Sequence, residues 1–360
     1  MSCHSNEVLD RFVRAIKREH PDRTPVVCCI SSPYICELFS VNVMDYLFDA
    51  QLKLKLQCAF QDEFPEMMIV PGIYPDFGCG IVEPSAFGCE LVQRENNPLS
   101  PQPRCPKTLH AQSDGKTIQE IANLRPPDPK KDGLMPKVLE EYRYFWDNID
   151  KKYIEKYGYL DGFAFTMGPV ETAALVIGYE NFLIGLHDYP HLIHQLLRMI
   201  TDFIITWLKT QESVNGHLKR IYLFDHTPAR VGPDHFEEFV FPYLSHVAQE
   251  FSYAIKIFHI CEKNISHVLG RIVDLGIDVL YFAADISEVK KIVGDGVCLM
   301  GNLSPIELIL KGDPEEISKE CKRCIDVATD NNGGYILAPS GAFIPGTPRE
   351  NIQSIIDAIK

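Results

Sequence analysis

His259 and Cys261 close the apolar run Tyr253-Ala-Ile-Lys-Ile-Phe-His-Ile-Cys261. The run reads as a strand, and on a strand residues two apart point to the same face. One strand end therefore presents an imidazole beside a thiol, a donor pair suited to a borderline-soft metal such as zinc. The competing reading makes Cys261 a small buried hydrophobe, as unpaired thiols commonly are. Other polar groups stand at the ends of neighbouring strand-like runs: Asp76, Glu171, Asp225 with His226, Asn302 and Ser340. For Asp225 and Asp285 the alternative is a helix cap, and for Glu171 a charge that complements a helix dipole.

Strand-like runs start near residues 26, 67, 163, 220, 254, 279, 297 and 335, mostly with a helical segment after each. Repeated alternation of this kind implies a parallel sheet, and eight units predict an α/β (β/α)8 TIM barrel. An open doubly wound sheet is the rival, but no Gly-x-Gly-x-x-Gly turn follows any strand. In a barrel the strand C-termini build the active site, which is where the polar residues above fall. Residues 1–360 read as one domain, opened by an N-terminal helical extension. Pro33 to Asp62 reads as one helical segment, and Cys28-Cys29 as core. Residues 73–150 form an insertion after the second strand, a hairpin around Cys79 to Val92 followed by a stretch rich in Pro, Lys and Asp, placed over the barrel mouth.

Hydrophobic residues make up 46% of the chain and the net charge is −14. That balance suits a large core and argues against nucleic acid or an anionic membrane as partner, since both require clustered Lys and Arg. No run approaches the roughly 18 apolar residues of a membrane span. The first twenty residues mix both charges without an apolar signal core, and the 12 cysteines lack framework spacing, so a reducing cytoplasm is expected. Cys321-Lys-Arg-Cys324 lies in a helical run with no second pair and reads as two packed thiols.

Several longer segments carry a resemblance. They are Asp234-His-Phe-Glu-Glu-Phe-Val-Phe-Pro-Tyr243, His259-Ile-Cys261, Gly301-Asn-Leu-Ser-Pro305 and Pro345-Gly-Thr-Pro-Arg-Glu-Asn351. Asp76-Phe-Gly78, Ala86-Phe-Gly88 and Gly168-Pro169 precede them. In this order the chain resembles the uroporphyrinogen decarboxylase superfamily, above all its cobalamin-dependent methyltransferase branch. The resemblance implies the same barrel. The decarboxylases carry an Arg-rich N-terminal substrate motif, whereas this chain has no arginine between Arg23 and Arg94. A polyanionic substrate would lack its counter-charges, so the decarboxylase reading is disfavoured.

In the methyltransferase branch His-x-Cys supplies two zinc ligands, which implies that role for His259 and Cys261. A third ligand, usually Cys, follows the last strand, but here Gly341 takes that place and Glu262 replaces the usual Gly after Cys261. The third ligand then falls to Asp225 or Glu171, or the metal is absent. An oxygen ligand would leave zinc more electrophilic and suited to polarising a methyl ether. The expected function is a cytoplasmic zinc-dependent transfer of a methyl group between a small methylated substrate, an aryl methyl ether among them, and the cobalt of a corrinoid (cobalamin) on a partner protein. His259, Cys261 and Glu171 would hold Zn2+, Asp225 and Glu171 act in catalysis, Asp76 and His226 contact substrate, and Asn302 and Ser340 face the corrinoid. Transfer from methylcobalamin to a thiol or folate is the alternative direction. A metal-free barrel that binds a corrinoid or protein partner without catalysis is the alternative class. A homodimer is one option for assembly.

Overall fold

The computed structural model describes residues 7–94, 97–104, 118, 120–329 and 334–360. Eight strands run parallel in chain order: β1 (Val26–Ile30), β2 (Met67–Ile69), β3 (Phe163–Met167), β4 (Arg220–Phe224), β5 (Ile255–Ile260), β6 (Val279–Phe282), β7 (Cys298–Leu303) and β8 (Tyr335–Pro339). Each neighbours the next in sequence from β3 to β8, and β8 returns to β1, which pairs with β2. Helices cover the outside, so the strands are buried on both faces and read as near-continuous apolar runs. This is the expected (β/α)8 barrel, preceded by the helix Glu7–Ile16.

Between β2 and β3 side chains bridge the wall. The Ile69 N–H donates to the Tyr159 hydroxyl at 2.7 Å, and that hydroxyl donates to Gln61 Oε1. A two-residue strand, Ala342–Phe343, continues past β8 and lies beside β1, with Cys29 opposite Ala342. It carries Gly341 and Ala342 to the rim of the barrel.

The segment from Pro33 to Asp62 is three helices, not one: Ser32–Leu38, Val43–Phe48 and Ala50–Glu63. Ser31, Asn42 and Asp49 accept backbone N–H bonds at the three starts, so each cap restarts the chain in a new direction. After β2, Val82–Ala86 is a short helix and the hairpin comes later, pairing Glu90–Arg94 with Asn97–Arg104. Pro84 explains the shift, because it has no N–H for a ladder but fits a first helical turn. Residues 105–117 of the Pro-rich stretch lie outside the described residues. Further on, the long helix Pro190–Asn215 buries Leu192, Leu196, Ile200, Phe203 and Trp207, the face its spacing predicts.

Tyr159→Phe removes the acceptor for the Ile69 N–H at the one barrel junction closed by side chains among the described residues. It is expected to cost about 1–3 kcal/mol, measured as a lower urea midpoint with an unchanged slope. An unchanged midpoint would show that the bridge contributes nothing.

Candidate active site at the strand C-termini

The helix Pro169–Ile177 leaves its first N–H groups without intrahelical partners. Asp225, fully buried at the end of β4, fills that need: its carboxylate accepts from the Val170 N–H at 3.1 Å and the Glu171 N–H at 3.0 Å. Glu171 reaches back the other way. Its Oε2 accepts from the backbone N–H groups of His226 (3.2 Å) and Thr227 (2.9 Å) and from the Thr227 hydroxyl (2.6 Å), while Tyr179 donates to Oε1. Two carboxylates thus lock the end of β3 to the end of β4. Gly168 makes this contact possible, since a Cβ there would stand 2.2 Å from Asp225 Oδ2. Burial, reinforced by the Glu171 charge, raises the Asp225 pKa well above the ordinary carboxyl range.

The lock continues to β5. The Cys261 N–H donates to His226 Nδ1 at 2.9 Å, which assigns the proton of the neutral ring to Nε2. His259 stacks on Tyr281 of β6 with centroids 4.1 Å apart. Its Nδ1 contacts the Tyr222 hydroxyl, its Nε2 contacts Cys261 Sγ, and Cys261 Sγ meets the Ser340 carbonyl. One direction satisfies all four groups: Tyr222 O–H to Nδ1, Nε2–H to sulfur, and S–H to the carbonyl. Burial pushes both imidazoles below and the Cys261 thiol above their ordinary pKa values, so the whole set is neutral.

A cavity of about 510 Å³ lies inside the strand ends beside this network. Asp76, Glu171, His226, His259 and Cys261 line it. Asp225, Asn302 and Ser340 are not among its lining residues. Asn302 instead donates to the Ala284 carbonyl at 2.6 Å, and Ser340 offers its carbonyl to Cys261. Asp285 caps the helix Ile286–Val293, accepting from Ser287 and Glu288. Asp76 is held by four donors: Ser32 and Tyr46 hydroxyls on Oδ2, and the Tyr74 hydroxyl and Gly78 N–H on Oδ1.

The sequence reading missed several wall residues. Cys28 is core as expected, but Cys29 faces the cavity with Cys79, Tyr74, Phe165, Tyr179, Tyr222 and Phe224. Strand alternation separates Cys28 from Cys29 correctly, yet which face meets the cavity depends on pairing with Ala342. No lysine or arginine lines the cavity among the described residues.

For zinc the fit is incomplete. His259 Nε2 and Cys261 Sγ stand together, and Tyr222 could orient the ring from Nδ1 as a supporting group does. The oxygens of Glu171 and Asp225 already accept the donors named above. Among the described residues no three His, Cys, Asp or Glu side chains come close enough to hold a metal ion.

Comparison with known proteins adds the lineage. The model of the family described as uroporphyrinogen decarboxylase (URO-D) matches residues 8–360. The chain belongs to that family. The relatives it matches include decarboxylases and methyltransferases. A uroporphyrinogen decarboxylase of Chlorobaculum parvum is 25% identical over 98% of this chain and 97% of its own. A methylcobamide:CoM methyltransferase of Methanosarcina barkeri is 26% identical over 78% of this chain and 77% of its own. A solved methyltransferase from Methanosarcina mazei superposes with a TM-score of 0.73 at 20% identity, covering 97% of this chain and 96% of that one, a likeness of fold.

Burial keeps His226 and His259 neutral by holding their pKa values below 6.5. The stability this contributes is full above about pH 6.5 and is lost as the pH falls through that value toward the folded pKa. In metal-free protein, the loss of unfolding free energy from about pH 7.5 to about pH 5.5 should be smaller in His226→Gln than in wild type. Equal losses would show that the His226 ring does not resist protonation.

Proposed function

We propose that this barrel moves a methyl group between a small methylated compound and the cobalt of a reduced corrinoid carried by a partner protein. The observation that carries this reading is the cavity itself: set among the strand ends, walled by aromatic rings, and without a cationic side chain among its described lining residues. The methyltransferases among its relatives support it further. Aryl methyl ethers belong to the substrates that aromatic walls of this size admit. We place the reaction in the cytoplasm, with a homodimer as the working assembly; no helix of the described residues is long and apolar enough to cross a membrane.

The chain's own residues have clear tasks in such a transfer. The Asp225–Glu171 lock fixes the wall that bears His226 and Tyr179. His226 presents an Nε2–H donor, and the hydrogen-bonded run Tyr222–His259–Cys261–Ser340 presents neutral groups to the cavity. Zinc, where bound, would supply Lewis acidity. The donors present do not complete a zinc set, and the chemistry is read without it.

The decarboxylases among the relatives favour a second reading, loss of CO2 from a polycarboxylated porphyrinogen. Several carboxylates would enter a cavity that already contains Asp76 and Glu171 and offers no arginine fork from the described residues. That mismatch ranks it below methyl transfer.

Position 341 tests both points. A Cβ there would lie 3.3 Å from Cys261 Sγ, so larger side chains enter the cavity beside the thiol. Gly341→Leu is expected to lower methyl transfer to reduced cobalamin at least about 100-fold while the variant still unfolds cooperatively. Full activity in that variant would remove the cavity from the reaction. After incubation with zinc and gel filtration, wild type should retain well under one zinc per chain and Gly341→Cys about one. A wild-type chain that keeps one zinc, lost in His259→Ala, would contradict the incomplete donor set.

A further inference from the structure

The cavity combines two features that seldom occur together. Its carboxylates, Asp76 and Glu171, share the described lining with no lysine or arginine, while Lys53 and Arg230 act on them from outside the lining. Most of their acceptor sites are also taken, by two donors on each oxygen of Asp76, by three on Glu171 Oε2 and by the Tyr179 hydroxyl on Glu171 Oε1. A primary ammonium would bring three N–H groups and find one acceptor site left between the two carboxylates, on Glu171 Oε1. A metal ion would meet the same shortage. A cation with no hydrogen to donate would not.

Aromatic rings supply what such a cation needs. Tyr74 and Phe165 lie 5.4 Å apart between centroids, and Phe165 stacks on Tyr222 at 5.6 Å. The faces of aromatic rings attract cations through their quadrupole, and aromatic cages bind quaternary ammonium groups in this way. Tyr74 donates its hydroxyl to Asp76 and Tyr179 donates to Glu171. Each phenol is polarised toward a carboxylate, which enriches its ring in electron density. The net charge of −14 draws cations toward the chain as a whole.

We infer that the substrate is a methylated onium compound, a quaternary ammonium or a tertiary sulfonium, bound through its methyl groups against Tyr74, Phe165 and Tyr222 beside Asp76 and Glu171; the Tyr179 ring is already engaged by the Arg230 guanidinium, 5.0 Å from its centroid. The inference rests on the methyl-transfer reading and narrows it. The chemistry then needs no Lewis acid. The two electrons of reduced cobalt form the new cobalt–carbon bond as the carbon–nitrogen or carbon–sulfur bond breaks. The electron pair of the broken bond stays on nitrogen or sulfur, which leaves as a neutral amine or thioether. Cobalt is oxidised by two electrons and no proton moves. This agrees with a donor set that stops at His259 and Cys261.

The test is calorimetric titration of the purified full-length protein with three probes: choline, its neutral analogue with carbon in place of nitrogen, and methoxybenzene. Choline should bind at least about tenfold tighter than its carbon analogue. Phe165→Leu should remove most of that preference while changing affinity for the analogue less than about threefold. Equal affinity for choline and the analogue, tighter binding of methoxybenzene, or no binding of choline would each overturn the inference. Binding needs no corrinoid, so a separate assay of methyl transfer to reduced cobalamin distinguishes the failures. Transfer from ethers without choline binding would sink the onium inference alone, whereas choline binding without transfer from any donor would sink the broader reading.

Discussion

The reciprocal grip of Asp225 and Glu171 is the constraint on which the site depends. Each carboxylate satisfies N–H groups at the base of the other's element, so β3, β4 and the helix between them are fixed together. His226 inherits its place from that grip and passes it to β5 by accepting the Cys261 N–H. Three strand ends are thereby held by hydrogen bonds to buried groups, where each unsatisfied partner would be costly. Catalytic-looking carboxylates can thus be positioning groups: Asp225 is fully buried and absent from the cavity wall.

Beyond the grip, the chemistry of the cavity follows from what its described lining residues omit. With no guanidinium or ammonium among them, neither a polycarboxylate nor an anionic acceptor finds a counter-charge there. The same family scaffold serves decarboxylases and methyltransferases, so the fold alone does not choose between them. In the function proposed above the choice falls to the wall, whose aromatic rings, hydrogen-bonded carboxylates and imidazole–thiol pair suit a small methylated compound.

Much of the barrel is legible in the chain because each strand is an apolar run ended by polar or Gly residues, and parallel strands buried on both faces impose that pattern. His259 and Cys261 are legible as a pair because a two-residue period puts them on one face, and the structure brings them into contact. Capping is less visible. Asp49 and Asn42 restart helices inside a segment whose apolar spacing reads as continuous. The cavity wall is hardest to read, because Cys29, Tyr74, Phe165 and Tyr179 come from separate elements and meet only in the closed barrel. Gly341 is legible through the family resemblance as the place of a missing ligand, but its 3.3 Å approach to Cys261 Sγ is set by the closed barrel alone.

The most direct test of the methyl-transfer account is to follow the methyl group itself. The protein would be mixed with choline carrying deuterated methyl groups and with reduced cobalamin under anaerobic conditions, and the corrinoid analysed by mass spectrometry. The account predicts protein-dependent appearance of a deuterated methyl group on cobalt together with dimethylaminoethanol. Unlabelled cobalt across choline and a panel of labelled methyl ethers and thioethers, with release of CO2 when uroporphyrinogen is supplied, would contradict it.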